Sequence, residues 1–305
     1  MLSPEELTVS QINDKALNRT GDFGIKSNVQ VLKIEKKKNQ SGKFQLNIQL
    51  GDITGSVNGI KFINNDDDEK ECDNIFQIGN VIEVQGVYSG KWKNLTIKIA
   101  RNLSKSEYEL KNFVKSPKIN FDSLKQLLRD SLNKIKNPHL RQLMKLIFND
   151  NVIKEKFLIA PAAKKYHHNY THGLLEHTIG MLQILESQVK FYGEDTVLDL
   201  DLLRCGILVH DLGKIEEYGV RNGVTYYLTE FQYLGHLVLG DRIVKGFMDQ
   251  IEDFPNELKS KVSHIILSHH GPEDWGSKIP PRTPEAEVIH QLDMLDSRYK
   301  NNFLR

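Results

Sequence analysis

Residues 95–135 read LTIKIARNLSKSEYELKNFVKSPKINFDSLKQLLRDSLNKI, and the period of their apolar residues changes midway. Leu95, Ile97 and Ile99 alternate with polar neighbours, the spacing of a strand with one buried face. From Phe121 onward, Leu124, Leu127, Leu128, Leu132 and Ile135 recur at three- and four-residue spacing, which predicts an amphipathic helix. Between the two patterns, residues 104–118 are charged and carry Ser116-Pro117, the composition of a linker or leading helix. A chain of 305 residues is long enough for about two domains, and this switch divides it.

Working outward, every run before the switch reads as β and nearly every run after it as α. Period-two alternation marks residues 28–35 (NVQVLKIE), 44–50 (FQLNIQL), 55–62, 81–88 (VIEVQGVY) and 95–100, with turn residues such as Asn39, Gly42, Gly51, Gly79 and Gly90 between them. Five short strands in about 75 residues suit a small, closed Greek-key barrel of the oligonucleotide-binding (OB) type. The acidic run 64–71 (NNDDDEKE) is expected to be a solvated loop. Beyond the switch, helices are expected near 121–147, 174–191, 201–210, 231–251, 257–269 and 284–299. The expected layout is multidomain, β followed by all-α. Residues 1–103 form an OB-type domain with an N-terminal extension, 104–120 a linker or leading helix, and 121–305 a helical domain.

Composition narrows the function. Hydrophobic residues make up 39% and charged residues 27%, enough for real cores and too apolar for disorder. Forty-one Lys and Arg against 40 Asp and Glu leave a net charge of +1, which excludes nucleic-acid binding by bulk charge but not by a local basic groove. No apolar run approaches the roughly 20 residues of a membrane span, and the first ten residues, MLSPEELTVS, lack the layout of a signal peptide. Cys72 and Cys205 are the two cysteines and lie far apart, which argues against a disulfide framework or thiolate zinc cluster and points to a cytoplasmic protein.

The chemistry concentrates in the helical half, which holds all 11 histidines. His177 shares a helix stripe with Leu174, Met181 and Ile184. His210-Asp211 ends the run Ile207-Leu208-Val209. His269 follows Val262 and Ile265 at helical spacing, and Asp293 follows Ile289 by four residues. Taken singly, each histidine reads best as a hydrogen-bonded core residue. Together, buried carboxylates among inward-facing imidazoles need a compensating cation, because an unpaired buried carboxylate is costly. A donor set of imidazole and carboxylate without thiolate suits Mn, Fe, Zn or Mg rather than a structural zinc knot.

The order His177, His210-Asp211, Asp293, with HDLGK at residues 210–214, resembles the HD superfamily of metal-dependent phosphohydrolases. Pro161-Ala162-Ala163, His167-His168, Gly173-Leu174, Gly235-His236, residues 267–271 (LSHHG), Trp275-Gly276-Ser277 and residues 292–296 (LDMLD) more specifically resemble the YhaM family of 3′→5′ exoribonucleases. That resemblance implies an OB-type domain ahead of an HD domain, two divalent ions per chain with manganese foremost and Mg, Fe, Co or Zn as alternatives, and self-association. It implies that His177, His210, Asp211 and Asp293 hold one ion. His236 with His269, or with His270 in its place, would help hold a second bridged through Asp211. Lys214 corresponds to a lysine that meets a substrate phosphate. Apart from the resemblance, His168 or His172, just upstream, is a candidate to protonate the leaving oxygen because the ordinary histidine pKa suits that role, with a polar loop as the competing reading of His167, His168 and His172.

In the barrel, Lys36, Lys37 and Lys38 fall at a tip between the first two strands, where OB domains contact nucleic acid, and Phe44, Phe62, Tyr88 and Trp92 are candidate stacking faces beside it. Gly219 and Gly223 read as a hairpin turn rather than a phosphate cradle. The function expected is a metal-dependent 3′→5′ exonuclease on single-stranded RNA, with DNA as a further substrate, releasing nucleoside 5′-monophosphates and acting away from membranes. The competing readings are a phosphohydrolase of small nucleotides and a non-catalytic nucleic-acid-binding factor.

Overall fold

The computed structural model describes residues 3–38, 44–114, 117, 119–163, 168–228 and 231–302. The chain divides into two compact units, Met1–Lys115 with Arg221–Val224 and Ser116–Val220 with Thr225–Arg305. Each has its own hydrophobic core.

In the first unit, strand β1 (Glu5–Glu6) and helix α1 (Val9–Asn18) precede five longer strands: β2 (Phe23–Lys38), β3 (Phe44–Asp52), β4 (Gly55–Phe62), β5 (Val81–Ser89) and β6 (Asn94–Asn102). Closure depends on the length of β2. Its first half pairs antiparallel with β5 (Phe23↔Tyr88 to Gln30↔Val81) and its second half with β3 (Gln30↔Gly51 to Lys38↔Phe44), with a register shift between Val31 and Lys33. The barrel closes where β4 meets β6 in parallel, Gly59 opposite Leu95. The five expected strands are all present in this closed barrel. At Gly86 a Cβ would lie 2.2 Å from the Thr96 carbonyl oxygen, so only glycine lets β5 and β6 approach at their own register shift.

The acidic run is not a loop. Asp66–Ile75 forms α2, capped by the Asn65 side chain, which accepts from the Asp68 backbone N–H. Asp66, Asp67, Asp68 and Glu69 occupy its first turn, where the helix dipole favours negative charge, and Cys72 and Ile75 bury its other end.

The second unit is built from α3 (Phe121–Lys134), α4 (Pro138–Asn149), α5 (Asn151–Ile159), α6 (Gly173–Tyr192), α7 (Leu200–Val209) and α8 (Lys214–Glu217). Hairpin β7–β8 (Tyr218–Arg221, Val224–Tyr227) follows in the chain, its tip Arg221–Val224 counted with the first unit, then α9 (Phe231–Leu234), α10 (His236–Met248), α11 (Asn256–Ser268) and α12 (Pro284–Asn302). Asn222 and Gly223 turn the hairpin with φ of +47° and +79°. The helix expected across 231–251 is broken at Gly235, where φ is +76°. Leu182, Leu203, Ile207, Val209, Ile265 and Ile289, all buried, form the centre of this core. No helix among the described residues is long and apolar enough to cross a membrane.

Candidate functional site

The helical unit assembles its polar centre from one helix interior, three helix ends and the last helix. His177 lies within α6, His210 and Asp211 follow α7, His236 opens α10, His269 and His270 follow α11, and Asp293 lies in α12. Asp211 stands in the middle. Its Oδ2 is 3.3 Å from His210 Nε2 and 3.8 Å from His177 Nε2, while its Oδ1 is 3.4 Å from His269 Nε2 and 3.6 Å from His236 Nε2. Asp293 Oδ1 lies 3.3 Å from His177 Nε2, and His270 Nε2 lies 3.2 Å from His236 Nε2. The structure therefore brings all seven side chains of the expected ligand set together. It also groups both His269 and His270 with His236, their ring nitrogens within reach of one ion.

The rings are aimed by their other nitrogens. His210 Nδ1 donates to the Ile207 carbonyl and His269 Nδ1 to the Ile266 carbonyl, each at 2.8 Å. His177 Nδ1 donates to Asp296 at 2.7 Å, and His236 Nδ1 faces Glu217 at 2.5 Å. Backbone carbonyls only accept, so in His210 and His269 the proton sits on Nδ1 and the Nε2 lone pair faces Asp211. Asp211 Oδ1 and His269 Nε2 are buried without a hydrogen-bond partner, two acceptors face to face where a cation would satisfy both.

Charge is concentrated accordingly. Burial works against ionisation of Asp211, yet Lys214, His210 and His269 outweigh it and hold its carboxyl well below the usual range. Burial likewise opposes a charged His177, and the Asp293 and Asp296 carboxylates overcome it, lifting its pKa to about 10. Burial, helped by His269 and His236, pushes His270 down to about 2, which keeps its lone pair available at neutral pH. These His and Asp groups are able to hold divalent metal.

Main chain joins the two sides of the centre. A Cβ at Gly213 would lie 2.0 Å from the His236 carbonyl oxygen and 2.5 Å from the Gly240 nitrogen, so the turn after Asp211 rests directly on the first turn of α10. Lys214, opening α8, turns back to Asp211 Oδ2 at 2.5 Å.

Residues 174–298 match the HD domain family. Over 256 residues the chain is 31% identical to the 3′-5′ exoribonuclease YhaM of Shouchella clausii (strain KSM-K16), covering 83% of this chain and 77% of that one. The chain belongs to the YhaM family. The YhaM protein of Oceanobacillus iheyensis is 29% identical over 267 residues, covering 85% of this chain and 79% of that one. A domain of replication protein A from Methanococcus maripaludis, 17% identical with a TM-score of 0.26, covers 33% of this chain and 99% of that one. Membership in the YhaM family, with its HD domain, supports a nuclease or phosphohydrolase.

For this YhaM-family chain, three expectations need correction. His168 is buried with both ring nitrogens engaged, Nδ1 by Glu176 at 3.0 Å and Nε2 by Asp296 at 2.9 Å, so it is held inside rather than offered to a leaving group. His172 stacks on Phe121 with its Nδ1 on the Leu158 carbonyl, and is not grouped with Asp211. His167 lies outside the described residues. In the barrel, Tyr88 is buried and stacks on Phe23 with ring centroids 5.2 Å apart, so it offers no face to a base.

The remaining barrel candidates are exposed or half-exposed. Lys36, Lys37 and Lys38 lie on the end of β2 rather than in a turn. Lys36 pairs with Glu69 and Lys37 with Glu35, while Lys36 and Lys38 lie over the Phe44 ring at 4.8 and 5.2 Å. Trp92 is 69% exposed beside a groove of about 400 Å³ lined by Lys33, Asn47, Asn58 and Lys93. Sequence alone did not single out those groove residues, nor Asp296, Glu217 and Glu176 around the polar centre. For Asp296 a signal existed: it lies three residues after Asp293, on the same side of a helix.

Proposed function

We propose that this protein is a metal-dependent 3′→5′ exonuclease that shortens single-stranded RNA, and DNA as a second substrate, to nucleoside 5′-monophosphates. The observation that carries the reading is Asp211, a buried carboxylate with histidine Nε2 atoms on both oxygens, on an HD domain in a YhaM-family chain. In this reading His177, His210, Asp211 and Asp293 hold one divalent ion. Asp211 is shared with a second, held by His236 with His269 and His270, and manganese is the foremost candidate. Divalent ions there would supply Lewis acidity and lower the pKa of water from about 15.7 toward neutrality. The chain's own contribution is orientation and charge. Asp211 is preset as an anion, the anchored His210 and His269 rings present lone pairs without reorganisation, an ion would take the place of the His177 proton, and the Lys214 ammonium adds positive charge at the edge of the carboxylate, where a phosphate oxygen would approach. On the barrel, Phe44 and Trp92, each with lysine beside it, serve as stacking platforms, and Lys33 and Lys93 line the groove beside Trp92.

The test is incubation of the purified chain and Mn²⁺ with 5′-end-labelled single-stranded RNA and DNA, with and without chelator. The expected result is a ladder shortening from the 3′ end, 5′-monophosphates as product, and no reaction with chelator. Intact polymer together with hydrolysis of free nucleotides would replace this reading with a small-nucleotide phosphohydrolase.

A further inference from the structure

The HD motif leaves unexplained a buried chain of polar groups running away from His177. Asp296 Oδ2 receives His177 Nδ1 at 2.7 Å and faces His168 Nε2 at 2.9 Å. On the far side of its ring, His168 Nδ1 faces Glu176 at 3.0 Å. Glu176 also accepts from the Tyr170 hydroxyl and lies 3.3 Å from the Lys300 ammonium. Two histidines, two carboxylates and a lysine thus alternate from the polar centre to the end of α12. His168 and Glu176 are buried, and Asp296 is only partly exposed.

The backbone is shaped around this chain. Gly173, Glu176, His177 and Gly180 recur at three- to four-residue spacing, so they share one side of α6. A Cβ at Gly180 would lie 2.3 Å from Asp296 Oδ1, and one at Gly173 would lie 1.9 Å from the His168 carbonyl oxygen. Gly180 stands inside the helix, where glycine is unfavourable, and admits Asp296, while Gly173 opens the helix and admits the His168 loop. His168 itself has φ of +52°, a left-handed conformation that a non-glycine residue keeps only when its surroundings impose it. The His168 carbonyl accepts from the Ala162 and Tyr170 backbone N–H groups, which hold the residue in that conformation.

We propose that Asp296 is a positioning residue for metal binding, holding the His177 ring so that Nε2 faces Asp211 and Asp293, and that His168 and Glu176 hold Asp296 in turn. The inference rests on the reading of His177 as a metal ligand. Partners of this kind fix ring orientation and tautomer, and their loss typically lowers metal affinity 10- to 100-fold.

The experiment is Mn²⁺ titration of the full-length protein, read by the electron paramagnetic resonance signal of free Mn²⁺, for wild type, Asp296→Asn and Gly180→Ala, with melting curves for each. Two classes of site are expected in the wild type. Asp296→Asn should weaken one class about 10- to 100-fold and leave the other unchanged. Excess Mn²⁺ should restore most of its turnover, and KM for RNA should stay the same. Gly180→Ala should repeat the selective loss without removing any polar group. Equal weakening of both classes with a lowered melting temperature would mean a structural role only, and unchanged binding in Asp296→Asn would also overturn the inference. If Gly180→Ala does not fold, Asp296→Asn decides alone. A wild type that binds no Mn²⁺ would remove the proposed metal centre itself, a failure distinct from that of Asp296.

Discussion

The barrel and the helical unit treat charge in opposite ways. In the barrel, Val29, Val31, Ile48, Leu50, Ile82 and Val84 fill the interior, and lysine, glutamate and exposed aromatics stay on the outside. In the helical unit, His177, His210, Asp211 and His269 are as buried as the leucines around them. A carboxylate is kept in such a place only if something repays its desolvation. The contrast therefore separates two kinds of work. The barrel's exposed polar and aromatic groups can be exchanged without touching its core, whereas the charged groups of the helical unit are part of its core.

The sharpest way to break this contrast is Asp211→Asn. An amide of the same shape cannot supply the charge shared between the two sets of histidines. Hydrolysis should fall below detection and Mn²⁺ uptake should be lost, while far-ultraviolet circular dichroism stays helical. Near-normal activity with full metal content would remove Asp211 from the centre. Lys214→Ala comes next. If Lys214 meets the substrate phosphate, turnover per folded molecule should drop on the order of 10²-fold with Mn²⁺ affinity nearly kept, as when an oxyanion donor is removed. A lysine serving only the local helix would change the melting temperature slightly and turnover not at all.

On the barrel, effects should be smaller and confined to the polymer. Trp92→Ala should weaken single-stranded RNA binding by about 1–3 kcal/mol, the worth of one stacked base, and leave hydrolysis of a nitrophenyl phosphodiester unaltered. Equal losses on both substrates would mean that Trp92 supports structure rather than binding. Smallest of all, Asn65→Ala removes the cap of α2 and should cost about 1 kcal/mol in barrel stability, seen as a lower urea midpoint with no change in metal binding.

The five strands were legible because each has one wet and one dry face, which writes period two directly into the sequence. The same rule placed Tyr88 wrongly only because its parity was not followed. Ile82, Val84, Gly86 and Tyr88 share the inward side of β5, so the tyrosine belongs indoors. α2 escaped notice because NNDDDEKE has no apolar period: its first turn is held by a cap and a dipole, and the residues that pack, Cys72 and Ile75, lie beyond that run. The polar centre was legible wherever a histidine or aspartate interrupts an apolar stripe, as His177 and His269 do. Asp296 and His168 were harder to read because their meaning lies in each other: they meet across 128 residues of chain, and no local pattern records the contact. His172 stands next to His168 in kind but not in place, its ring drawn to Phe121 and the Leu158 carbonyl.

Gly213 gives this centre a mechanical property. Because the turn after Asp211 bears on the first turn of α10 through main-chain atoms, it acts as a fulcrum, and α10 is the lever resting on it. Thirteen residues of helix make an arm of about 20 Å, with His236 at the pivot and Met248 buried at the far end. A rigid arm does not absorb displacement at its support. One methyl group inserted at Gly213 would press on the His236 and Gly240 main chain together, and the strain would be felt at His236 beside Asp211 and along the arm that ends in the packed Met248.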